Sequence, residues 1–171
     1  MRAGVVTAAD LGELYAETGL TAFVGVRAGD HLIYIAEAGS DLMASFEART
    51  NIRRALLTTA GGKALLSALP PSDLETFVRQ RPESDRPHVQ ALLRTIPEIR
   101  ASGIAINTND VSGRTGIATL VHDHVGRAVA AVTLVGASRD VLPRVDELSA
   151  LLLRRVESWR TRRGGESREP L

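Results

Sequence analysis

The sequence predicts an α/β chain of the mixed, α+β kind, an antiparallel sheet with helices packed on it. Two pairs of apolar, β-branched stretches read as hairpins: Thr21 to Arg27 with His31 to Glu37, and Ile117 to Val121 with Ala128 to Val135. Helical stripes stand before, between and after these hairpins, which is not the regular alternation of a parallel βαβ array. At 171 residues and 44% hydrophobic, the chain has the size of one domain with a buried core.

The elements follow in order. Leu11, Leu14 and Tyr15 share one helical face after the capping residue Thr7, so residues 7–18 form a helix that Gly19 closes. Ala28-Gly29-Asp30 turns the first hairpin. Residues 40–58, with Phe46 and the apolar run Ile52 to Leu57, lack a clean period and are expected to hold one short strand and a loop. From Gly61, the positions Ala64, Leu65, Leu66 and Leu69 make a helix that Pro70-Pro71 ends, because proline lacks an amide donor and clashes with the preceding turn. Ser72 to Gln80 gives a short helix and Arg81 to Pro87 a surface loop. Val89, Leu92, Leu93, Ile96 and Ile99 define a further amphipathic helix that Pro97 should kink or restart and Gly103 should stop. Ile104 to Ile106 begins a strand, and Asp123 and Gly126 lie in the turn of the second hairpin. The last helix starts near Pro143 and carries Val145, Leu148, Leu152, Val156 and Trp159 on one face. Arg154, Arg155, Arg160, Arg162 and Arg163 crowd its end, where cations complement the helix dipole, and read as a solvated basic terminus. Residues 1–163 are then one domain and 164–171 a disordered tail.

Composition narrows the chemistry. Without cysteine the chain has no disulfide, thiolate zinc site, iron-sulfur cluster or cysteine nucleophile. No apolar run approaches the roughly 18 to 20 residues of a membrane span, and the N-terminus meets Asp10 and Glu13 too early for a secretory signal, so no membrane association is expected and the cytoplasm is. A net charge of +1 is too small for a domain that neutralises many phosphates. Lys63 is the single lysine beside arginines, which reflects coding bias more simply than chemistry.

The motifs that invite a catalytic or metal reading fall short. Gly61-Gly62-Lys63 at a helix start resembles part of a phosphate loop, but Leu57 stands where the first glycine belongs and Ala64 where a magnesium-binding hydroxyl belongs. His122-Asp123-His124 offers two imidazoles with no third ligand nearby in sequence, and His31 and His88 read as surface residues. No Gly-x-Ser-x-Gly elbow or Ser-x-x-Lys pair is present, and Glu98 and Arg100 read as a wet helix face. The expectation is therefore no enzyme, no catalytic residue, no metal and no cofactor.

One resemblance remains. Leu56-Leu57-Thr58-Thr59-Ala60-Gly61-Gly62-Lys63-Ala64-Leu65-Leu66 looks like the segment that opens the pocket helix in the effector-binding domain of IclR-type transcription regulators. Ile99-Arg100-Ala101-Ser102-Gly103-Ile104-Ala105 is similar to that family's Ile-Arg-x-x-Gly-Tyr-Ala stretch. Gly116 to Val121 followed by Asp123 and Gly126-Arg127, and then Ala130 to Gly136, resemble two later runs. The match reaches from about Leu11 to Val156. It implies a GAF-like or profilin-like sheet, a dimer or tetramer, and a small-molecule effector that alters operator binding through a winged helix-turn-helix half. That half is absent from this sequence, which reads as a shortened or naturally short relative. A stand-alone small-molecule-binding module, or an antagonist without a DNA reader, is the alternative, with an enzyme using the same pocket third.

The resemblance also implies a ligand-binding set: Ala60, Gly61, Gly62, Asn107, Gly116, Thr133 and Val135. The amides of Ala60 and Gly61 stand where family members receive an effector's carboxylate. Asn107 lies near the family's usual acidic position, Gly116 replaces a frequent cysteine, and Thr133 and Val135 stand for two serines. Losing a hydroxyl at Val135 and opening space at Gly116 implies a carboxylic acid larger and more apolar than pyruvate. For Thr133 and Val135 the plainer reading is core packing, and for Gly61 and Gly62 a structural turn.

Overall fold

The computed structural model describes residues 6–39 and 53–166. Helix α1 (Ala8–Thr18) begins with a reciprocal cap, in which the Thr7 amide donates to Asp10 Oδ2 at 2.9 Å and the Asp10 amide donates to Thr7 Oγ1 at 3.1 Å. Gly19, at φ 70°, ends it by donating to the Tyr15 carbonyl. Strands β1 (Thr21–Ala28) and β2 (His31–Ala38) form the first hairpin, and β3 (Arg53–Ala55) follows. Helices α2 (Ala60–Ser67), α3 (Pro71–Arg79) and α4 (Arg86–Ser102) come next, then β4 (Ala105–Asn109), β5 (Arg114–His122) and β6 (Ala128–Ala137). A single turn, α5 (Ser138–Val141), leads into the long α6 (Val145–Glu166).

The six strands form one antiparallel sheet in the order β3-β2-β1-β6-β5-β4, so the two hairpins meet at β1 and β6. Successive side chains on a strand point to opposite faces, which gives the sheet two cores. Phe23, Leu32, Tyr34, Ala118 and Ala131 face α2, α3 and α4 with Leu66, Leu92 and Ile96. Ala22, Val24, Ile117, Val132 and Leu134 face α1 and α6 with Leu11, Leu14, Leu148 and Trp159. Each fully buried leucine contributes about 1.5–3 kcal/mol of hydrophobic stabilisation. The hairpin register shifts between Val24, opposite Ala36, and Gly25, opposite Tyr34, leaving Ile35 as an extra residue on β2. This bulge puts Tyr34 on one face and Ala36 on the other, although a regular strand would place both on the same face.

Several expectations need correction. The strands β4, β5 and β6 run longer than the apolar stretches that marked them, because polar Asn107 to Asn109 and Arg114 to Gly116 also pair. The Arg81 to Pro87 stretch is not simply a loop: it contains a 3-10 turn at Glu83–Asp85, and Arg81 lies over the Phe77 ring at 4.4 Å while meeting Asp30 at 2.7 Å. Pro97 does not restart the helix, since α4 runs through it as one element. It sits on the exposed face, as does Leu93, whose carbonyl loses its helical partner and can be hydrated there. Arg100 lies on the exposed face as expected, but it also donates to the Ser67 carbonyl at 2.8 Å and the Leu69 carbonyl at 3.4 Å, capping the end of α2. The basic end of α6 is not simply solvated either. Arg155 bonds Glu13 and Glu17, and Arg162 bonds both Asp10 oxygens at 3.0 Å, so α6 is clamped to α1. The helix continues to Glu166, past Gly164 where the tail was expected to start, while 167–171 and the 40–52 stretch with Phe46 and Ile52 lie outside the described residues.

Asp10 is 3% exposed. Burial pushes its carboxyl up, but the Thr7 amide and hydroxyl and the Arg162 guanidinium outweigh this and hold it below the usual carboxylate range. A depressed carboxyl stabilises the fold above its unfolded value and loses that contribution as pH falls through its folded value. Urea melts should therefore show Asp10→Asn losing about 1–2 kcal/mol at pH 7, with the gap from the wild type narrowing toward pH 3.

Candidate functional site

Where α2 begins, the sheet and the helix enclose a cavity of about 400 Å³. Its floor is a row of small and medium residues: Val135 on β6, Gly116 on β5 and Asn107 on β4 are direct neighbours across three strands. One row along, Thr133 lies beside Phe23, whose ring stacks on Tyr34 with centroids 4.6 Å apart. The cavity is therefore half floored by aromatic carbon and half by short polar or absent side chains.

Helix α2 can lie this close because the residues at its contact have almost no side chain. A Cβ on Gly62 would stand 2.2 Å from the Leu56 carbonyl oxygen and 2.5 Å from Leu56 Cα, both backbone atoms that cannot move aside. A Cβ on Gly116 would meet Ala60 Cβ at 3.2 Å, and one on Gly61 would meet Thr133 Oγ1 at 3.0 Å. Thr59 starts the helix: its hydroxyl donates to the Ala55 carbonyl at 2.8 Å and accepts from the Gly62 amide at 3.1 Å. That leaves the Ala60 and Gly61 amides without an intrahelical acceptor, at the positive end of the helix dipole. Asn107 fixes the approach to this turn by donating from Nδ2 to the Thr58 carbonyl at 2.8 Å.

The charge of the wall is one-sided. Arg53 and Arg54 enter from β3 and Arg114 from β5, while among the described residues no aspartate, glutamate or histidine lines the cavity. The chemistry available is recognition of an anion, by guanidinium groups with fixed forks and by a helix start.

Of the residues expected from the sequence, Ala60, Asn107, Gly116, Thr133 and Val135 all line the cavity. Gly61 and Gly62 do not. Gly61 packs on Thr133 and Leu32, and the Gly62 amide is already taken by Thr59. Lys63 points elsewhere: Nζ reaches the Ile106 carbonyl at 3.5 Å, and burial pushes its ammonium below the usual lysine range. Around the second hairpin, Asp123 is consumed by the turn, accepting from the amides of Val125 and Arg127 and from Arg127 Nε. The sequence reading missed Phe23, Tyr34, Arg54 and Arg114. Arg114 was within reach, since it alternates with Gly116 on one strand.

The chain is similar to known proteins along most of its length. The family model described as bacterial transcriptional regulator IclR C-terminal matches residues 4–158. A curated relative, the HTH-type transcriptional repressor AllR of Klebsiella pneumoniae, is 30% identical over 132 residues, covering 74% of this chain and 48% of the repressor. The chain thus spans about half the length of that relative. The Thermotoga maritima IclR structure superposes with a TM-score of 0.77 at 22% identity, over 94% of this chain and 69% of that one. The inducer-binding domain of the PobR transcription factor from Acinetobacter, a double mutant in complex with 3-hydroxybenzoic acid, gives 0.77 at 20% identity, over 90% and 94%. These likenesses agree with the α+β architecture of helices on an antiparallel sheet.

The close packing at α2 makes a direct comparison of two glycines informative. Gly62→Ala should cost about 2 kcal/mol or more in urea unfolding, because its methyl meets backbone. Gly12→Ala, in the middle of α1 with nothing within 4 Å of the added carbon, should instead stabilise by about 0.5–1 kcal/mol.

Proposed function

The chain belongs to the bacterial transcriptional regulator IclR C-terminal family, and on that premise we propose that it is the ligand-sensing domain of a DNA-binding regulator. Its cavity takes a small carboxylic acid, larger and more apolar than pyruvate, and the occupied domain alters how an attached reader engages operator DNA. The observation that carries this reading is the cavity itself: arginines and a helix start around a floor that includes the Phe23–Tyr34 pair. An aromatic acid fits such a mixture, with its carboxylate at the cationic wall and its ring on the aromatic carbon. The PobR inducer-binding domain, which shares this fold, is seen with 3-hydroxybenzoic acid.

Residues 1–163 act in this proposal as one sensing unit. Coupling to DNA needs two arrangements of the assembly with different affinity for the acid, and a homodimer or tetramer supplies them. In this reading the role is binding, which the arginines, asparagines and hydroxyls of the described lining support. A sensor joined to a DNA reader works in the cytoplasm, and no helix among the described residues is long and apolar enough to cross a membrane.

Thermal-shift measurements test the reading. Benzoate-class and five- to eight-carbon acids should raise the melting temperature more than pyruvate at equal concentration, with about 2.7 kcal/mol of stabilisation once ligand reaches a hundredfold excess over Kd. A larger shift with pyruvate overturns the size and polarity assignment. No shift with any acid overturns acid sensing.

A further inference from the structure

Lys63 stands apart from the other cations of the chain. It is the single lysine, the fourth residue of α2, and half-buried where that helix lies against β4, the strand at the edge of the sheet. Its Nζ meets a neutral acceptor, the Ile106 carbonyl, at 3.5 Å, the far limit of a hydrogen bond. Among the described residues no carboxylate pairs with it, whereas Arg79, Arg127, Arg144, Arg155 and Arg162 each meet one.

Two features of this position disfavour the charged form. The side chain loses water between α2 and β4, and burial holds the ammonium below the usual lysine range. The first turn of a helix also carries the positive end of its dipole, which favours anions over cations. With no carboxylate to offset these costs, more of the side chain is neutral amine than in a solvated lysine. That amine is not sealed in, because the residue keeps partial exposure.

We propose that Lys63 is an acylation site, its amine taking the acyl group of a small activated donor of the acyl phosphate class. The nitrogen lone pair attacks the acyl carbon, and a C–N bond forms as the C–O bond to phosphate breaks. Phosphate leaves with that electron pair, and a proton from the nitrogen passes to water. The product amide keeps one N–H for the Ile106 carbonyl, so the side chain can hold its place while it loses its charge and carries the acyl group beside β4.

Acetylation of the folded chain by acetyl phosphate tests this, at about pH 8, where a solvated lysine is almost wholly charged. Peptide mass spectrometry follows each amine separately. Arg94→Lys adds a reference lysine on the exposed face of α4, and free Nα-acetyl-lysine amide is a second reference that does not depend on that variant. Lys63 should react about threefold or more faster than either reference, since only the neutral amine is a nucleophile. In urea, with the burial and the helix lost, the rates should become alike. A folded-state rate at Lys63 equal to or below the references overturns the proposal. So does an excess that persists in urea, since the fold is then not its source.

Discussion

The closeness of α2 to the sheet is the contact on which the cavity depends. Gly116 beneath Ala60 lets the helix start rest close on the sheet, and Gly62 lets it close on the backbone of Leu56 in the turn that leads into it. Gly116 also leaves room at the floor, so one missing side chain both lets the helix come down and holds the cavity open. Thr59 and Asn107 then fix the turn from two sides, one by capping the helix and the other by holding the Thr58 carbonyl from β4.

Much of the fold was legible because its signals are local. Both hairpins, the helix stops at Gly19 and Gly103 and the two-sided alternation of the central strands are written in neighbouring residues. Strand ends were less legible, since Asn107 to Asn109 and Arg114 to Gly116 pair through their backbones whatever their polarity. The cavity was partly legible for a different reason. Small residues around Gly61 and Gly116 carried the family resemblance, whereas Phe23, Tyr34 and Arg54 reach the cavity by register across strands far apart in the chain. Register of that kind depends on a bulge that no single stretch of sequence announces.

Charge was the least reliable guide when read one helix at a time. Asp10, Glu13 and Glu17 are spaced by three and four residues and so share a face of α1. Arg155 and Arg162 are seven apart and share a face of α6. Read together, these spacings describe two matching edges, and the contacts between them join the first described helix to the last. Arg100 shows the same effect at smaller scale, since its target is a pair of carbonyls at the end of another helix.

The extra residue at Ile35 has its own consequence for how such a chain can vary. Upstream of it Leu32 and Tyr34 belong to the cavity side, and downstream Ala36 and Ala38 belong to the side of α1 and α6. Substitutions in β2 change one side chain at a time, but loss of a single residue would move every position on one side of the bulge to the opposite face. The length of this strand is therefore more tightly constrained than its composition, and insertions or deletions in relatives of this chain are best accommodated in its turns.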